Sequence, residues 1–284
     1  IMRLRNFLSR LNPLNAFLAF SRLVKTFIRK INPVKVLEVS LKVCLLSLVT
    51  IILYSHQIEI NKIKPEVGTL DNIPYDAFAQ VEIGVKINLP EDQESFEFKS
   101  VGSGILVDYS NGVSTLITAD HVCNPPPLDR WYAMVGRENI EKTITLKTFY
   151  GQEAESTVIL NDANYDLCLV RAEIEWSTPV KIAGGPPVMA EKVFNVAAPT
   201  GFFYPGMVPI LEGRYSGDIG YNQDYDSIYT VYTKRGSSGS AILNSRGEII
   251  GITHSAFVDL THLGIASTWY EVNDFMLTYE LLFY

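Results

Sequence analysis

The sequence predicts an all-β body closed by a single C-terminal helix and preceded by a basic, partly apolar arm. Three observations carry this reading. From Ala77 onward, short segments rich in Val, Ile, Tyr, Phe and Thr recur between turn signals, at the spacing of all-β barrels. Helical periodicity returns only at the end, in EVNDFMLTYELLF. Residues 1–42 carry nine Lys/Arg against one acid, Glu38, whereas the remainder carries 15 basic and 30 acidic groups. With 284 residues, 47% of them hydrophobic, the chain has ample core for one large or two modest domains.

The arm comes first. Residues 1–35 repeat a basic–apolar–Asn–Pro unit, at Arg10–Pro13 and Lys30–Pro33, and the stretch between can lie on an anionic membrane surface as an amphipathic helix. Residues 43–54, VCLLSLVTIILY, hold no charge, and extending back to Val36 gives the roughly 20 residues that a membrane span needs. A buried core helix is the competing reading of so short a run. The basic residues ahead of it favour a transmembrane helix over 36–55 with its N-terminus inside. YSHQIE offers no small-residue cleavage site, so a signal peptide fits less well, while a eukaryotic host would make the arm resemble an organelle presequence. Residues 56–75, with two prolines, read as a linker.

The body then runs through VEIGVKI, FEFKSVGSGILV, STLITA, TITLKTFY, STVIL and DLCLVRA, and resumes after IAGGPPV with KVFNVAA, PILEGRYSG, SIYTVYT, SAIL, EIIGIT and LGIAST. GGPP is the expected join, giving one half over 76–178 and another over 179–284. The acidic body argues against a nucleic-acid partner, whose phosphates it would repel. No CxxC or Cys/His cluster suggests zinc, and no metal or other cofactor is implied. Of three cysteines, Cys44 lies in the apolar run, which leaves Cys123 and Cys168 as the only pair able to meet; reduced thiols are the expectation.

KRGSSGSAIL, residues 234–243, places two serines between glycines ahead of an apolar strand. Such a string is often only a loop. A serine hydroxyl becomes a nucleophile at neutral pH when a base and an orienting group stand beside it. Four histidines are available: His56, His121, His254 and His262. His56 borders the apolar run and His262 has no supporting pattern. His121 ends STLITADHV, where a strand stops and presents an imidazole. In NYDLCLV, Asp166 sits at the mouth of an apolar strand, where an unpaired carboxylate is costly to bury.

GSGILV, LITADHV, YDLCLV, GSSGSAIL and GEIIGIT, in that order over about residues 77–270, resemble the trypsin-like serine proteases of the chymotrypsin fold, nearest the bacterial branch of HtrA proteases and glutamyl endopeptidases. The resemblance implies two six-stranded antiparallel β-barrels. It also implies a triad of Ser238 as nucleophile, His121 as base and Asp166 as orienting carboxylate, with the N–H groups of Gly236 and Ser238 as the oxyanion hole. Tyr232 and Thr233 should lie in the primary pocket wall. Thr253, His254 and Ser255 should run along the substrate backbone as an edge strand. Glutamyl endopeptidases hold a carboxylate with a Thr and a His; Thr233 fits, but His254 falls one residue late, which turns a strand side chain to the other face. A small or medium apolar residue is therefore the expected P1. Ser237 replaces the Asp of digestive trypsins, so activation by a new amino terminus is not expected, and the 46 residues after Ser238 leave no room for a PDZ domain. The resulting expectation is a membrane-anchored serine endopeptidase acting on polypeptides across the membrane from its basic arm. The alternatives are a viral or phage processing protease, and a catalytically inactive binding module.

Overall fold

The computed structural model describes residues 72–89, 95–221, 224–257 and 259–284. The expected arm, transmembrane helix and most of the linker fall outside them. Among the described residues, no helix is long and apolar enough to cross a membrane.

The strands form two closed six-stranded antiparallel barrels. The first contains β1 (Phe78–Ile87), β2 (Phe96–Ser110), β3 (Val113–Thr118), β4 (Ile140–Thr148), β5 (Glu153–Asp162) and β6 (Leu167–Ala172), closed in the order β1-β2-β3-β6-β5-β4. The second contains β7 (Lys192–Val196), β8 (Ile210–Tyr221), β9 (Asp224–Tyr229), β10 (Ala241–Leu243), β11 (Ile249–Phe257) and β12 (Leu260–Ser267), closed as β10-β11-β12-β9-β8-β7. Alternation explains most of this. On β1, Val81, Ile83, Val85 and Ile87 are buried while Glu82 and Lys86 between them are partly exposed. Leu167, Cys168, Leu169 and Val170 of β6 are all buried, so that strand reads as a continuous apolar run. Each barrel closes on itself, and β11 runs past the end of β10, so that Ser255–Phe257 pair with β12 alone.

Three helices decorate the barrels among the described residues: α1 (Asp120–Cys123), α2 (Pro127–Val135) and α3 (Trp269–Phe283). The sequence reading gave the β body a helix only at its C-terminus, and α2 corrects it. Proline at its start and Gly136 just past its end, at φ 83°, are the punctuation of a helix. Only its apolar side is held, with Leu128 buried and the Trp131 ring stacked 6.0 Å from Phe96. On α3, Thr268 and Glu271 form a reciprocal capping box, and Val272, Phe275, Met276 and Tyr279 are buried at helical spacing. The helix leaves the second barrel and returns to the first, where Tyr279 donates to Asp108 (2.8 Å) and accepts from Arg171 (3.2 Å). One apolar cluster joins Phe78, Val81 and Leu116 of the first barrel to Phe194, Val196 and Ile252 of the second.

Candidate active site

The strand β3 ends at Thr118, and the chain turns at once into the single turn of α1, which carries His121. Opposite it, the β5–β6 connection delivers Asp166 with φ 51°, a left-handed backbone that is unusual for a residue with a Cβ. Both carboxylate oxygens are engaged: the His121 backbone N–H donates to one at 2.8 Å, and the ring Nδ1 lies 2.7 Å from the other. The Asp120 N–H donates to the Asp166 carbonyl at 3.1 Å. Burial opposes ionisation of Asp166, but the bonds from the His121 ring and backbone, together with the imidazole's charge, outweigh it and hold the carboxyl below its ordinary pKa. A charged carboxylate on Nδ1 keeps the proton there and leaves Nε2 to accept one.

Two residues beyond each member of this pair, Cys123 and Cys168 are joined in a disulfide, with their Cα atoms 6.6 Å apart. The expectation of reduced thiols is thus overturned. Cys123 faces β6 from the end of α1, and both cysteines are fully buried; linear distance in the sequence does not show this approach. Lys142 supports the same corner by donating to the Cys123 carbonyl (3.1 Å) and the Asn124 side chain (2.9 Å). Burial holds its ammonium below the ordinary lysine pKa, against the pull of Asp120.

The 234–240 turn answers the question of the paired serines. Ser237 is fully buried; its N–H donates to the Lys234 carbonyl (2.8 Å), and its hydroxyl accepts from the Lys234 N–H (3.4 Å). Its role is to close the turn. Ser238 is half-buried at the surface of the cleft, and its hydroxyl donates to the His254 carbonyl at 3.4 Å. Gly239, at φ 83°, packs so closely on Thr118 and the Ser103 carbonyl that a Cβ would collide with both. The Arg235 carbonyl accepts from the Thr200 N–H at 2.6 Å. Because the peptide is planar and trans, the Gly236 N–H points the opposite way. Neither the Gly236 nor the Ser238 N–H donates to any acceptor among the described residues.

Sequence reasoning missed the residue that fixes this arrangement. Ser103, the middle of GSG on β2, donates its hydroxyl to the Gly236 carbonyl (2.8 Å) and accepts from the Ala198 N–H (3.0 Å). Its own N–H donates to the Ser238 carbonyl at 2.8 Å. The only signal was a small polar residue between glycines, which is equally the signature of a tight strand crossing.

His121, Gly236, Ser238, Thr233, His254 and Ser255 line one cleft of about 890 Å³. Tyr232 does not; its half-exposed ring lies under the Lys234 ammonium. Thr253 does not either, being fully buried with its hydroxyl accepting from Asn195 at 2.9 Å. The β11–β12 register shifts between Thr253 and Ser255, leaving His254 as the extra residue of a bulge. That bulge turns Thr253 inward and lets the His254 imidazole reach Asp226, 3.0 Å away.

Residues 102–252 match the trypsin-like peptidase domain. Among solved structures, a serine endoprotease of Yersinia pestis is similar with TM-score 0.50 and 18% identity, covering 72% of this chain and 62% of its own. A variant of the HtrA-type protease AlgW with a decapeptide gives TM-score 0.56 at 16% identity, covering 72% of this chain and 63% of that one. An inactive form of Rv3671c from M. tuberculosis H37Rv gives 0.50 at 16%, covering 76% and 94%. The chain thus spans somewhat less than two thirds of the first two. No curated protein matches the sequence. The two closed barrels and the cleft are those of the chymotrypsin-like fold. The chain belongs to the trypsin-like peptidase domain family.

Proposed function

We propose that this protein is a membrane-anchored serine endopeptidase in which Ser238 is the nucleophile, His121 the general base and Asp166 the orienting carboxylate. The observation that carries the reading is the two-point hold of Asp166 on His121, in a cleft shared with Ser238 and the two unused N–H groups of Gly236 and Ser238. Ser238 Oγ attacks the scissile carbonyl carbon as its proton passes to His121 Nε2. The oxygen that becomes negative is met by the N–H groups of Gly236 and Ser238, each such donor stabilising the transition state by about 3 kcal/mol. The C–N bond breaks as His121 gives its proton to the departing amine. Water then repeats the sequence on the acyl-enzyme, releasing the acid and restoring Ser238. His254 and Ser255, on the stretch of β11 that lines the cleft, guide the substrate as an added strand.

Residues 36–55 anchor the protein, with the basic arm inside and the catalytic body on the far side, the periplasm if the host is bacterial. A disulfide buried beside the site supports that placement, since such bonds persist in oxidising compartments. The inactive-module reading draws on one observation: the Ser238 hydroxyl rests on the His254 carbonyl rather than on His121. Rotation about χ1 is a small step, and catalytic hydrogen bonds commonly tighten only with substrate bound.

A fluorophosphonate probe separates the readings. Labelling of the full chain, abolished in Ser238→Ala and strongly reduced in His121→Ala, is the expected result. Absence of labelling in the folded wild type would favour the binding module.

A further inference from the structure

The cleft is electropositive within an acidic molecule. Beyond residue 42 the acidic groups outnumber the basic ones, 30 to 15. Yet among the described residues no Asp or Glu lines the cleft, whereas Lys99, Lys234 and Arg235 do. Lys99 is matched by Glu82 at 2.7 Å. Asp166 is committed to His121, and Asp226 to His254. Lys234 and Arg235 are exposed and form no ion pair among the described residues.

Their backbones are held while their charged ends are free. Lys234 is tied to Ser237 through both its N–H and its carbonyl, and the Arg235 carbonyl to Thr200. The Lys234 ammonium stands 5.7 Å over the Tyr232 ring, which orients the charge without neutralising it. Both residues line the cleft immediately before Gly236. A pair of unpaired cations on a rigid turn is a receptor for carboxylates, and an acidic body makes the local sign more selective, because it repels acidic chains everywhere else.

We propose that the cleft takes acidic polypeptide segments, and that Lys234 and Arg235 select Asp and Glu side chains on either side of the residue that enters the primary pocket. The proposal deepens the peptidase reading above and rests on it. It assigns the rim rather than the primary pocket, where Thr233 is buried and uncharged. Two exposed charge pairs of this kind amount to about a 3- to 10-fold preference.

The test uses matched fluorescent peptides that differ only in Glu or Gln on both sides of one central residue. Binding is read by anisotropy on full-length Ser238→Ala in lipid nanodiscs, and kcat/KM on the wild type provides the same ratio independently of that variant. The expected ratio favours Glu about 3- to 10-fold. It should fall to near unity in Lys234→Gln/Arg235→Gln and stay unchanged in Lys181→Gln, which removes a charge away from the cleft. Equal binding of the two peptides, a ratio that survives the double substitution, or an equal fall with Lys181→Gln overturns the proposal. Acid preference without fluorophosphonate labelling overturns the catalytic reading alone, whereas labelling without acid preference overturns only the proposal.

Discussion

At the residue scale, Asp166 shows how a strained backbone position is held by hydrogen bonds. A left-handed backbone costs a residue with a Cβ about 1–2 kcal/mol. The Asp120 N–H on its carbonyl and the two His121 donors on its carboxylate hold it there. Asp166→Asn keeps the shape but offers His121 the wrong tautomer, and kcat should fall about 10⁴-fold in a peptide-hydrolysis assay. The same carboxylate links stability to pH. Its folded pKa is depressed, so its contribution is complete above the unfolded value of about 3.9 and is lost as pH falls through the folded one. Urea titrations from pH 7 to pH 2 should therefore show the wild type losing more stability in acid than Asp166→Asn. A steeper acid loss in the variant would contradict this assignment.

At the element scale, the disulfide ties α1 to β6 two residues beyond His121 and Asp166. It closes a loop with a sequence separation of 45, and a crosslink of that span stabilises by about 3–4 kcal/mol in the chain-entropy account. Cys123→Ser/Cys168→Ser should lower the urea midpoint accordingly and slow fluorophosphonate labelling under conditions where the variant is still folded. Labelling at the wild-type rate would mean that the hydrogen bonds between α1 and Asp166 alone suffice. The 234–240 turn is the other decisive element. Lys234, Ser237 and Ser240 bond among themselves, and Ser103 and Thr200 hold the turn from outside. The Gly236 and Ser238 N–H groups are thus positioned by three separate segments of chain.

At the scale of the whole molecule, the cleft lies where two barrels meet: His121 and Asp166 belong to the first, Ser238 and His254 to the second. A common apolar cluster and the return of α3 to the first barrel resist separation of these halves. In the proposed topology, the charge asymmetry of the chain acts on a longer range, drawing the basic arm toward anionic lipid and the acidic body away from it. Deleting residues 1–55 should move the protein from the carbonate-resistant membrane fraction to the soluble one. If the truncated chain remains in the membrane fraction, the anchor does not lie in that segment.

The strands, their grouping into two halves and the order His121, Asp166, Ser238 were legible in the sequence, because alternation and turn chemistry are local properties of the chain. The short helix α2 was not, since its few apolar contacts leave little periodicity and its proline and glycine look equally like loop signals. The sequence by itself singled out His121, Asp166 and Ser238 and placed each at the edge of a strand or turn. Tertiary structure alone decided that Cys123 reaches Cys168, that Ser103 anchors the 234–240 turn, that a bulge sends His254 to Asp226, and that no acid among the described residues faces Lys234 and Arg235 in the cleft. Each of these depends on which distant segments come within a few ångströms of one another, a relation that neither spacing nor composition encodes.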